Sequence, residues 1–243
     1  METKWQHIAV IYGGKLRIGV LGGIGPEATG EYYLKLIRSL QQTGIVRDNT
    51  DFPYLIVHSI PAPELVGKVT PELLEPYKAG IREIGNAYVD FIVMVCNTIH
   101  LHREELQKES RAPIMDLRQK VREKLSRGGV KKVAVIGTQS TINGGLYRFD
   151  GIDYVDLTDQ EIDDLSSAIF KYNKGEDKKQ QERLVEEMAR GIISKGAEAV
   201  VLGCTEFAVM LKDVDIPKID TLDILVEATA RQFIELKGTR QKA

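Results

Sequence analysis

The chain has 243 residues, 43% hydrophobic and 28% charged, with a formal net charge of -2. That length permits one large domain or two of about 100–120 residues. The near-neutral balance gives no reason to expect nucleic acid or an anionic membrane as partner, and no apolar run approaches the ~20 residues of a transmembrane helix.

Residues 1–14 read as an N-terminal extension. Its apolar stretch Ile8–Tyr12 is too short for a signal-peptide core, so a cytoplasmic protein is expected. There, the two lone cysteines, Cys96 and Cys204, are catalytic or simply buried thiols rather than a disulfide.

Leu16–Gly23 reads as a short buried strand ending in glycines. Pro26 suits the first turn of a helix running to about Gln42, with Glu27 favourable to its N-terminus. Tyr54–Val57 is the next strand, and His58–Pro63 a loop, because two prolines oppose regular structure. Thr70 caps a helix opened by Pro71 and reaching about Tyr88. Strand Phe91–Val95, helix Ile99–Lys108 and short strand Pro113–Met115 follow. The second half repeats this order. Lys132–Thr138 and Ala199–Gly203 are strands, Asp159–Asn173 and Lys178–Lys195 helices, and Ile216–Asp220 mirrors Ala112–Asp116. A last helix, about Thr221–Leu236, returns to the first half by that symmetry.

Apolar strands alternating with amphipathic helices predict an α/β fold with parallel sheets flanked by helices. The duplication predicts two pseudo-symmetric domains, 15–115 plus 221–243 and 116–220. Ligands bind such sheets at the carboxyl ends of the strands, and both cysteines sit there. Facing sheets would bring the thiols to one cleft. A following helix N-terminus is expected to draw a thiol pKa toward neutrality, giving one thiolate and one thiol.

Other constellations are weaker. Gly23-Ile24-Gly25-Pro26-Glu27-Ala28 fits a dinucleotide turn formally, yet Glu27 would oppose a pyrophosphate and His58-Ser59 offers no ribose-binding carboxylate. A small carboxylate over the same turn remains open. Cys96, His100 and His102 lack a complete zinc spacing, so no metal is expected. His102 reads as helix surface and His100 as a cleft wall. Lys174 either complements a helix C-terminus or meets an acidic substrate, and Asp116 and Asp220 read as helix caps.

Gly22–Thr29, Cys96-Asn97-Thr98 and Gly203-Cys204-Thr205-Glu206 together resemble the signature blocks of the aspartate/glutamate racemase family. Glu206 after Cys204-Thr205 is similar to the aspartate racemase branch. The resemblance implies a cofactor-independent isomerase of aspartate, with glutamate as an extension, built as a homodimer with its site between the domains. It implies that Cys96 and Cys204 exchange the α-proton, and that Ile24, Asn97, Thr98, Thr205, Glu206 and Lys174 bind the amino acid. One position departs: where many aspartate racemases carry an arginine, this chain has Leu65. The competing expectations are a hydantoin racemase or related isomerase or decarboxylase, and a non-catalytic binder of an acidic metabolite.

Overall fold

The computed structural model describes residues 15–65 and 69–240, so the expected N-terminal extension lies outside the described residues. Strands β1 (Arg17–Gly22), β2 (Tyr54–Ser59) and β3 (Phe91–Met94) form one parallel sheet in the order β2-β1-β3. Strands β4 (Lys132–Gly137), β5 (Asp153–Tyr154), β6 (Ala199–Gly203) and β7 (Lys218–Asp220) form a second, ordered β5-β4-β6-β7. Every pairing is parallel. The helices are α1 (Pro26–Gln42), α2 (Pro71–Asn86), α3 (Arg103–Gln107), α4 (Leu117–Gly128), α5 (Gln139–Asn143), α6 (Asp159–Asn173), α7 (Lys178–Ser194), α8 (Thr205–Met210) and α9 (Thr221–Arg240).

The central strands are buried on both faces, as continuous apolar runs require when helices cover a parallel sheet. Three apolar clusters result. One belongs to the first half, one to the second, and the largest joins Val20 and Val93 to Val133 and Val201. Helix α9 feeds this shared cluster through Leu225 and Phe233. Burial of each such side chain is worth about 2 kcal/mol. Tyr32 on α1 donates to Thr229 Oγ1 on α9 at 2.9 Å, a contact between the last helix and the first half.

Three local expectations change. His58 and Ser59 extend β2, paired with Leu21 and Gly22, and the loop begins only at Ile60. The segment Pro113–Met115 is a single bridge of Ile114 to Ile92, because Pro113 has no N–H to continue a ladder. The helix expected over Ile99–Lys108 is a 3-10 turn, Thr98–His102, followed by α3.

Candidate active site

Cys96 lies two residues beyond β3, and Cys204 directly follows β6 at the N-cap of α8. Parallel pairing aligns the carboxyl ends of each sheet, and both thiols line one cavity of about 190 Å³. The volume falls below the roughly 300–1,000 Å³ of drug-sized sites and suits a single small metabolite. Gly23, Ile24, Gly25 and Pro26 line it, as do Thr98, Thr138 and Glu206. The loop residues Ala62, Glu64 and Leu65 and the α6 residues Ile169, Phe170 and Asn173 complete the wall. A larger groove of about 890 Å³ runs between α4 and α9, lined mainly by charged side chains, away from both cysteines.

The turn at Gly25 is set by what faces it. Its φ is 95°, open to glycine, and a Cβ there would lie 1.9 Å from Glu206 Oε1. The turn from the first half thus packs directly on the carboxylate of the second. Glu206 Oε2 accepts from the Cys204 thiol at 2.7 Å and from the Thr205 hydroxyl at 3.2 Å. Its Oε1 accepts from Asn173 Nδ2 at 3.3 Å.

The surroundings of both thiols favour the protonated form. Burial pushes Cys96 up to about 12, and the Glu206 charge adds to the rise. The backbone N–H groups of Ile99 and Thr98 and the Thr98 hydroxyl pull the other way. Cys204 is raised well above the usual thiol value by burial, then by the charge and hydrogen bond of Glu206, with Cys96 adding to the effect. The expected thiolate–thiol pair at rest is therefore corrected. The turns after the cysteines are only five and six residues long, and their dipoles do not offset desolvation and a neighbouring carboxylate. Ionising Cys96 costs about 4 kcal/mol more than in water.

The other expected residues divide. Ile24, Thr98 and Glu206 reach the cavity. The Thr98 hydroxyl lies 3.0 Å from Thr138 Oγ1 and 2.8 Å from Thr141 Oγ1, linking the halves beneath the thiols. Asn97 is buried behind the wall, where Tyr147 O–H donates to its Oδ1 and its Nδ2 has no partner among the described residues. Thr205 is also buried and spends its hydroxyl on Glu206. Lys174 does not line the cavity; it follows Asn173 at the end of α6 and is exposed.

His100 is no cleft wall. The 3-10 turn carries it inward, 6% exposed, with Nε2 3.4 Å from the Met94 carbonyl. Burial lowers its pKa to about 4. Among the described residues no group of three or more His, Cys, Asp and Glu is placed to hold a metal. Thr138, Glu64, Asn173 and the apolar pair Ile169 and Phe170 were not anticipated. Thr138 had a signal, since it ends the strand equivalent to the glycine-rich first strand and caps α5.

The Asp/Glu/Hydantoin racemase family model matches residues 21–229. The chain belongs to this family. It is an isomerase of the racemase kind, and a non-catalytic binder no longer competes. A broad-specificity amino-acid racemase from Bacillus subtilis (strain 168) is 26% identical over 227 residues, 89% of this chain and 98% of that protein. An aspartate racemase homologue from Pyrococcus horikoshii is similar in structure, with TM-score 0.64 and 30% identity over 90% of this chain and 98% of the other. The aspartate racemase of Picrophilus torridus gives TM-score 0.72 at 25% identity, covering 92% and 94%. These racemase structures have the same α/β architecture as the two parallel sheets seen here.

Proposed function

We propose that this racemase inverts a free α-amino acid without a cofactor, using Cys96 and Cys204 as its two bases. The observation that carries the reading is that both thiols line one small cavity. The entering ammonium of the substrate offsets the burial and like charge that hold the thiols neutral, so one thiol releases its proton to solvent and the pair stands one proton short throughout the exchange. The thiolate takes the α-hydrogen as a proton, and the C–H electron pair passes into the carboxylate as an enediolate. The opposite thiol gives its proton to the other face of Cα and becomes the thiolate. One proton enters and one leaves the carbon, so the enzyme keeps its proton count. Amide donors at the turn after Cys96 and the hydroxyls around Thr98 supply the polar side of this step.

Aspartate is the substrate that the resemblance and the structural relatives suggest, and glutamate its extension. The cavity itself argues for an ammonium, since its charged lining residues among those described are Glu64 and Glu206. In the same reading the protein is a homodimer, which light scattering tests directly. The deciding experiment is transfer of the enzyme to heavy water with single amino acids. Deuterium at Cα with loss of optical rotation supports the reading. Racemisation undiminished in both Cys96→Ser and Cys204→Ser would discard it.

A second reading has one observation in its favour. Lys174 stands off the wall, while Ile24, Leu65, Ile169 and Phe170 make much of the lining apolar. That suits a hydantoin ring. Polarimetry on 5-substituted hydantoins against the matching amino acids separates the two.

A further inference from the structure

We propose that Tyr147 is a positioning residue: its hydroxyl holds the Asn97 side chain away from the turn after Cys96, and so reserves the N–H groups of that turn for the Cys96 thiolate. The role rests on the racemase reading of the same site, and it lets the second half govern the thiol of the first.

An asparagine ahead of a helical turn ordinarily caps it, its Oδ1 accepting a backbone N–H from the turn. Asn97 stands at that position before the 3-10 turn Thr98–His102, yet its side chain makes no capping bond. Its Oδ1 accepts from Tyr147 O–H instead. The Ile99 N–H, the donor a capping side chain would take, faces Cys96, as does that of Thr98, and both favour the thiolate. Tyr147 is itself anchored through three consecutive carbonyls. That of Leu146 accepts from Arg118 Nε at 2.8 Å, that of Tyr147 from Tyr154 O–H at 2.8 Å, and that of Arg148 from Arg118 Nη2 at 3.3 Å. Burial, then the charges of Cys96, Asp116 and Cys204, push the Tyr147 phenol well above its ordinary range, so it stays a donor at neutral pH. Among the described residues, Glu206, Tyr77 and Cys204 are the other titratable groups in electrostatic reach of Cys96, and all three remain when the Tyr147 hydroxyl is removed. Without that hydroxyl, Asn97 Oδ1 is a buried acceptor that must find a donor, and the turn N–H offers one.

The test is the rate at which iodoacetamide alkylates each cysteine in wild type, Tyr147→Phe, Asn97→Ala and the double variant, read by peptide mass spectrometry. Tyr147→Phe is expected to slow Cys96 about tenfold, one pKa unit's worth, and to leave Cys204 unchanged. In the Asn97→Ala background no side-chain oxygen competes for the turn, so removing the hydroxyl should cost Cys96 nothing further. Cys204 is the reference on the same molecules, because loss of the fold exposes both thiols and speeds both. In turnover, Tyr147→Phe should lower kcat and move the acid limb of its pH profile upward with KM little changed. An unchanged Cys96 rate in Tyr147→Phe, equal slowing of both cysteines, or the same slowing with and without the Asn97 amide overturns the proposal. The alkylation series needs no substrate. Exchange with no amino acid therefore ends the racemase reading, whereas the loss of slowing in the Asn97→Ala background decides the role of Tyr147.

Discussion

The two cysteine corners occupy equivalent places in the repeated halves but differ in chemistry. Cys96 is faced by the backbone N–H groups of Thr98 and Ile99 and by the Thr98 hydroxyl, which in turn meets Thr138 and Thr141. Cys204 donates its proton to the Glu206 carboxylate. Four residues beyond Cys96 stands the buried His100; four beyond Cys204 stands Ala208, equally buried but inert. Repetition fixed where the strands deliver a thiol, while the neighbours decide how readily each gives up its proton. Donors around Cys96 lower the cost of its thiolate, and a carboxylate beside Cys204 raises it. Glu206 raises both thiols but bears on Cys204 by charge and hydrogen bond together, so Cys96 is expected to ionise first.

The comparison breaks most severely if either thiol proves dispensable. Cys96→Ser and Cys204→Ser are each expected to lower racemisation by about 10²–10⁴, the range for a positioned proton-transfer group. The losses should differ in hand. Deuterium wash-in measured separately from the L and D enantiomers should leave each variant exchanging mainly the face served by its remaining thiol. Equal residual exchange from both enantiomers in both variants would refute the facing arrangement.

His100 gives the next effect, on stability. Burial holds its folded pKa near 4 against an ordinary 6.5. Between those values the unfolded chain binds a proton that the folded one refuses. Stability is therefore full above pH 6.5 and falls as pH drops toward 4, by about 3 kcal/mol for the 2.5-unit gap. Urea midpoints for wild type and His100→Gln over pH 7 to 4.5 isolate this slope. It should flatten in the variant, and parallel curves would show that His100 is not the group responsible.

Glu206→Gln sharpens the comparison at the level of reactivity. With the carboxylate in place, Cys96 should alkylate with iodoacetamide faster than Cys204, since the thiolate is the reactive form. Removing the charge should speed Cys204 by about tenfold, one pKa unit's worth. Peptide mass spectrometry over a time course at pH 8.5 reads both sites at once. A Cys204 rate unchanged in the variant would sever the link between the two side chains.

Much of this arrangement was legible in the chain. Strands β1, β3, β4 and β6 announce themselves because a strand buried on both faces must be apolar throughout, and that is a local property. Both thiols follow from where those runs stop. What stayed hidden depends on contacts distant in sequence. No local pattern sets Glu206 against Gly25, or ties the Leu65 carbonyl to Ser140. Asp153–Tyr154 is too short for a period to show. The Ile99–Lys108 segment has helical composition, yet its first turn tightens to 3-10, and that rotation takes His100 from the cleft into the interior. The glycine and threonine positions were readable as a cradle; which of their neighbours carry charge into it was not.

Thr98 carries the smallest predicted effect and tests the donor side of the comparison. Its hydroxyl supports Cys96 and meets Thr138 and Thr141 across the halves. Thr98→Val keeps the branched shape and removes the hydroxyl. Thr138 and Thr141 still bond each other at 3.1 Å, so neither is stranded. The stability cost should stay near 1 kcal/mol. The kinetic cost should appear as a several-fold lower kcat with the acid limb of the pH–rate profile moved upward, because Cys96, the thiol that ionises first, loses a donor that favours its thiolate. Thr98→Ser restores the hydroxyl and should restore the profile. Thr205→Val removes the equivalent hydroxyl in the other half, but that group serves Glu206 rather than a link between the halves. Its loss should leave the limb set by Cys96 in place, so a matching shift in both valine variants would mean that the two corners are electrostatically alike after all.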